Sequence, residues 1–146
     1  MEPDGKMILF SSNVYPGAFT DSANKKIAEA RKNLKYKARV YTSFPVRDWD
    51  HWIEEKKIHL FVQSTEEGRT PEDLLTGMDS TEEKNVLIQG NACWSADSKA
   101  VLFNGIRDGG TRARQEVPTY LYKADVNKGI SLVIKDSLNS YTSPAA

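Results

Sequence analysis

One pattern constrains this chain more than any other: it contains the same short unit twice. Aligning Asp4-Gly5-Lys6 with Asp97-Ser98-Lys99 places Ile8-Leu9-Phe10 on Val101-Leu102-Phe103, so a turn and the apolar run after it share an offset of 93 residues. Asp-Gly and Asp-Ser tolerate the positive φ that a tight connection requires, and a strand is expected after each. Met7 to Phe10 and Ala100 to Phe103 are apolar at successive positions, which suits strands covered on both faces. A second match follows at an offset of 61. "HLFVQSTEEGRTPEDLLTG" and "YLYKADVNKGISLVI" align Leu60 with Leu121 and Gly68 with Gly129, each reading as strand, polar turn, strand.

Each copy therefore reads as turn, strand, connection, strand, turn, strand, and "NACWS" before Asp97 supplies a first strand for copy two. Four short antiparallel strands per unit is the pattern of a β-propeller blade, and the expected fold is mainly β, a partial propeller of about two blades. An ordinary sandwich that repeats a turn is the competing architecture. The expected organisation is a first blade over residues 1–78 lacking its first strand, a second blade over 79–136, and a tail or linker over 137–146. Copy one opens inside its first turn, so the expectation is a piece of a longer chain, self-associating through exposed blade edges.

The two offsets differ by about 32 residues, which places an insertion between the second and third strands of copy one, at about 16–52. Ile27, Ala30 or Arg31, Leu34 and Ala38 recur at helical spacing, with Asp21 or Ser22 able to cap, and predict a helix near 22–38. Its other side is basic, with Lys25, Lys26, Arg31, Lys32, Lys35, Lys37 and Arg39 against Glu29. Across the chain 20 basic residues balance 20 acidic ones, so a solvated or acid-paired face is expected there and no nucleic-acid partner. No apolar run is long enough to span a bilayer, and no basic-then-apolar leader follows Met1, which leaves the compartment open between cytoplasm and periplasm or secretion. Cys93 reads as a small buried hydrophobe.

"VRDWDHWIEE" holds the candidate binding residues. An arginine flanked by acids and tryptophans can hold a peptide terminus, because guanidinium pairs bidentately with carboxylate and indole supplies an apolar wall. Arg47, Asp48, Trp49 and Asp50 are that candidate set. The structural alternative has Asp48 or Asp50 capping a turn, Arg47 tying the insertion to its sheet, and Trp49 and Trp52 filling the core. His59 falls among Ile58, Leu60 and Val62, which share the other strand face, and reads as a packing or edge residue. No His, Cys and acid cluster has metal-ligand spacing, so no metal and no cofactor are expected.

"PDGKMILFSSNVYPG", the Lys/Arg/Ala-rich helix ending "KARVY", "PVRDWDHWIEEKKIHLFV", "EDLLTG" and "CWSADSKAVLF", in this order, resemble the N-terminal β-propeller of prolyl oligopeptidase-family serine peptidases. The dipeptidyl-peptidase and acylaminoacyl-peptidase type is the nearest branch. Pro3-Asp4-Gly5-Lys6 and Ala96-Asp97-Ser98-Lys99 match the family's Ser-Pro-Asp-Gly-Lys blade turn. Arg47-Asp48-Trp49-Asp50 matches its Arg-His-Trp-Asp with Asp for His, and Asp73-Leu74-Leu75-Thr76-Gly77 is a looser form of Asp-Leu-Thr-Pro-Gly. The resemblance covers nearly the whole chain. It implies that catalysis belongs to a C-terminal α/β-hydrolase domain bearing a Gly-x-Ser-x-Gly elbow, and that motif does not occur here. The chain alone is expected to be no enzyme, with that hydrolase domain and the peptide substrate as its partners. Some dipeptidyl peptidases of the family hold the substrate's amino group with paired glutamates, which points to Glu54 and Glu55. A stand-alone propeller-like scaffold binding a protein or glycan is the alternative.

Overall fold

The computed structural model describes residues 2–36, 38, 40, 41, 47, 48, 50–52, 55–76, 86–106, 118–126, 129–134, 141 and 144. Among these residues, nine strands and one helix follow the order β1 (Met7–Val14), α1 (Asp21–Lys32), β2 (Arg47–Asp48), β3 (His51–Trp52), β4 (Lys57–Ser64), β5 (Glu72–Asp73), β6 (Leu87–Trp94), β7 (Ala100–Ile106), β8 (Thr119–Asp125) and β9 (Gly129–Ile134). The fold is mainly β and its sheets are antiparallel. One sheet runs β1-β4-β5, a second β6-β7-β8-β9, and β2-β3 form a small ribbon. Among the described residues no closed barrel or propeller is formed.

The repeat legible in the sequence recurs bond for bond. Gly5 (φ 72°) and Ser98 (φ 57°) hold the same left-handed position of the two turns. Glu2 N donates to Met7 O at 3.0 Å and Ser95 N to Ala100 O at 2.8 Å; Gly5 N reaches Glu2 O and Ser98 N reaches Ser95 O, both at 3.0 Å. Met7 pairs with Ser64 and Phe10 with Phe61, while Ala100 pairs with Asp125 and Phe103 with Tyr122. Those partners preserve both offsets. Even the cross-strand rings match, with Phe10 and Phe61 stacked at 5.6 Å and Phe103 and Tyr122 at 5.5 Å.

Equivalent residues nevertheless face different neighbours. A single core joins the two large sheets, with Leu60 and Val62 of the first against Val101, Phe103, Tyr122 and Ala124 of the second, and Met7 and Leu9 packed beside them. Val101, Phe103 and Tyr122 thus point into the core, whereas their counterparts Ile8, Phe10 and Phe61 lie on the opposite face of the first sheet. The units stack head to tail. A sandwich of like faces would bring Phe10 and Phe103 into one interior; here they occupy successive layers.

The helix departs from the sequence expectation at both ends. Thr20, not Asp21 or Ser22, is the N-cap, its Oγ1 accepting from Ala23 N at 3.3 Å. The helix stops at Lys32, with Asn33 N bonded to Glu29 O and Leu34 N to Arg31 O, short of Ala38. The cause is physical: no residue of α1 is buried, so no packing extends it, and Arg31, Lys32 and Lys35 would repel at one-turn spacing. Polar contacts tie the helix to its own cap and to the residue that follows β1. Asn24 Oδ1 accepts from Tyr15 N at 2.8 Å, and its Nδ2 donates to Thr20 O.

Two further observations concern the second unit. Its first strand is longer than "NACWS", running Leu87–Trp94 with a register break between Ile88 and Ala92. In the segment expected as tail or linker, Tyr141 N donates to Thr119 O at 2.9 Å and Asn104 Nδ2 donates to Tyr141 O at 2.9 Å. Cys93, expected to be buried, is half-buried, and that partial burial raises its thiol pKa.

Candidate functional site

The chain leaves the first sheet at Val14 and re-enters it at the directly opposed Lys57. The candidate residues lie in the segment between. Pairing of Arg47 with Trp52 and of Asp48 with His51 forms the β2-β3 ribbon. The Arg47 guanidinium lies over the Trp52 indole, 5.8 Å from its centroid, and Tyr41 stacks on that ring at 6.2 Å. Arg47 Nη2 is 3.5 Å from Asp50 O, a long contact, and Asp50 is exposed. Trp52 is 53% exposed, so it does not fill the core as the structural alternative expected. Trp49 and Glu54 lie outside the described residues, and of Asp48 only the backbone is described.

Glu55 is bound by Arg31 of α1, the ion pair that ties the basic helix to the start of β4. Arg31 also covers the Tyr15 ring at 5.4 Å, and Lys56 lies 4.9 Å from the same centroid. Two groupings result: Arg47, Trp52 and Tyr41 on the ribbon, and Arg31, Glu55, Lys56 and Tyr15 at its base. Both offer cations over aromatic faces, suited to carboxylate or amide recognition, and neither grouping includes a serine or a cysteine.

Sequence reasoning missed a third grouping. His59 Nδ1 and Asp73 Oδ2 are 2.7 Å apart, with the Asp73 side chain 1% exposed. Asp73 Oδ1 accepts from Leu75 N at 2.8 Å, and Phe19 packs on the imidazole at 5.9 Å. The pair closes the β4-β5 hairpin and holds the entry of the insertion against it. Ser12 is opposite His59 in register, so serine, imidazole and carboxylate occupy neighbouring strands. No hydrogen bond joins Ser12 to His59 among the described residues, and Ser12 lies on a regular strand, not on the strained turn that exposes a nucleophile. This arrangement is a structural tie. Its sequence signal was a histidine beside Phe61 and Gln63, on the face of β4 opposite Leu60 and Val62.

Among the described residues no group of three or more His, Cys, Asp or Glu is placed to hold a metal ion, and no helix is long and apolar enough to cross a membrane. Compared with protein-family models, curated proteins and solved structures, the chain shows no significant match.

Proposed function

We propose that this chain is a noncatalytic sector of the β-propeller of a serine exopeptidase, dipeptidyl or acylaminoacyl peptidase-like, which gates peptide access to an α/β-hydrolase domain outside these 146 residues. The observation that carries the reading is the head-to-tail stacking of two sheets with one register. A propeller repeats that relation around a ring, so that one face of each blade always meets the opposite face of the next. Order of motifs adds the peptidase part: the blade turn, the basic helix, the Arg47 to Asp50 segment and the second blade turn follow the order of the family that the sequence resembles.

In this reading the propeller excludes folded proteins from the hydrolase, and the insertion, with Arg47 and Trp52 on its ribbon and Glu55 at the base, reaches toward the peptide path. Asp48, Trp49, Asp50 and Glu54 belong to the same segment. The test is the coding sequence beyond residue 146 and the behaviour of its product. A Gly-x-Ser-x-Gly elbow in frame, with labelling of the product by a fluorophosphonate, is the expected result. A stop codon, or an unrelated domain in that place, overturns the peptidase reading in favour of a stand-alone binding scaffold.

A further inference from the structure

We propose that the insertion between β1 and β4 docks on an anionic lipid surface, through the basic side of α1 and the exposed apolar residues at the helix end. The inference stands on charge and exposure and does not rest on the peptidase reading.

The balance of charge over the whole chain conceals a separation. Seven of the 20 basic residues but one of the 20 acidic ones fall between Lys25 and Arg39, so this segment is strongly positive and the remainder is acidic by the same amount. Ala23, Ile27 and Arg31 recur on one face of α1; the first two are half-buried, and Arg31 reaches Tyr15 and Glu55. Lys25 and Lys32 lie on the opposite face, and Lys25, Lys26, Lys32 and Lys35 are all exposed. Among the described cations of this segment, Arg31 alone meets an acid.

A solvated basic helix by itself calls for no partner. The residues at its end do. Leu34, Tyr36 and Val40 are 46%, 63% and 84% exposed, and Trp52 of the ribbon is open as well. Three ties gather them at one end of the insertion. Arg31 and Glu55 pair, which holds the last turn of α1 close to the ribbon that carries Trp52. Leu34 N donates to Arg31 O at 3.2 Å, and Tyr41, adjacent to Val40, stacks on Trp52.

Aliphatic and aromatic side chains interleaved with cations fit a partner that is negative outside and apolar just beneath. A bilayer with acidic headgroups has that order, and tyrosine and tryptophan favour the boundary between its two layers. A nucleic acid would match the cations and the rings but leave Leu34 and Val40 in water. Long lysines and side chains this exposed present no fixed relief for a shape-matched protein interface, whereas a fluid surface accommodates them. The acidic remainder of the chain is repelled by the same surface, which turns the insertion toward it.

Co-sedimentation of the 146-residue chain with vesicles of phosphatidylcholine containing about 30 mol% phosphatidylserine should show binding that salt weakens and that pure phosphatidylcholine does not give. Lys32→Gln combined with Lys35→Gln should weaken it at least about tenfold, since each cation near such a surface contributes about fivefold. Leu34→Ser combined with Val40→Ser should weaken it about fivefold without altering charge. All four positions are exposed, so both variants should keep the native far-ultraviolet circular dichroism spectrum. Failure to bind the acidic vesicles at low salt overturns the proposal, as does equal binding to neutral ones or binding indifferent to the lysine pair. Binding unchanged by Leu34→Ser with Val40→Ser also overturns it, and assigns the surface to polyanions in general, nucleic acid among them.

Discussion

Single residues in the two turns carry the fold's most local commitments. Ser98 adopts the left-handed conformation that Gly5 adopts in the other copy, and its hydroxyl is buried with no hydrogen-bond partner. Ser98→Gly removes both liabilities at once and is expected to stabilise the protein by about 0.5–1 kcal/mol, measured by urea denaturation; Gly5→Ala should destabilise it by a similar amount. Asp97 carries a pH dependence. Its carboxyl is held below the usual carboxylate range, first by the Ser95 hydroxyl at 2.6 Å and then by Lys99 N–H at 3.2 Å. The folded chain binds this proton more weakly than the unfolded chain, so the contribution is complete above the unfolded-state value and lost as pH falls through the folded one. The melting-temperature gap between the native chain and Asp97→Asn should therefore narrow below about pH 4.

Elements differ in how firmly they are held. Gly105 lies where β7 passes beneath Val86 and Tyr122: an added Cβ would come 2.4 Å from Val86 Cγ1, 3.2 Å from Leu87 O and 3.3 Å from Tyr122 Cε2. The valine tip can yield, but the backbone oxygen and the fully buried ring have little room. Gly105→Ala is expected to cost about 1–3 kcal/mol in chemical denaturation. Helix α1 is the opposite case. Ala28→Pro should abolish its signal at 222 nm while shifting sheet unfolding, followed by near-ultraviolet circular dichroism, by less than about 1 kcal/mol. These contrasts explain what was legible in the sequence. Strands β1 and β7 could be located because a turn and an apolar run coincide, and the register followed from two constant offsets. The helix ends could not, since periodicity continued through Leu34 and Ala38, both of which are exposed. The His59–Asp73 pair was hidden because two polar residues far apart in sequence become neighbours only through the register of β4 with the two-residue β5.

At the scale of the whole molecule, the core that joins the sheets should make them unfold together. Phe103 is fully buried and belongs to that core, so Phe103→Ala is expected to cost about 3–5 kcal/mol. Fluorescence and far-ultraviolet circular dichroism should still report one coincident transition; separate transitions would mean that the sheets are independent. Candidate binding residues fall outside this cooperative unit, on the ribbon and the helix base, which is where residue types hinted at recognition but gave no geometry. Val14 and Lys57 occupy one rung, so the polypeptide departs from the sheet and returns to it at a single doorway. Whatever lies beyond that doorway can lengthen, shrink or be exchanged without moving any strand of the two large sheets, which makes it the natural place for descendants of this chain to diversify and for an engineer to splice in foreign sequence.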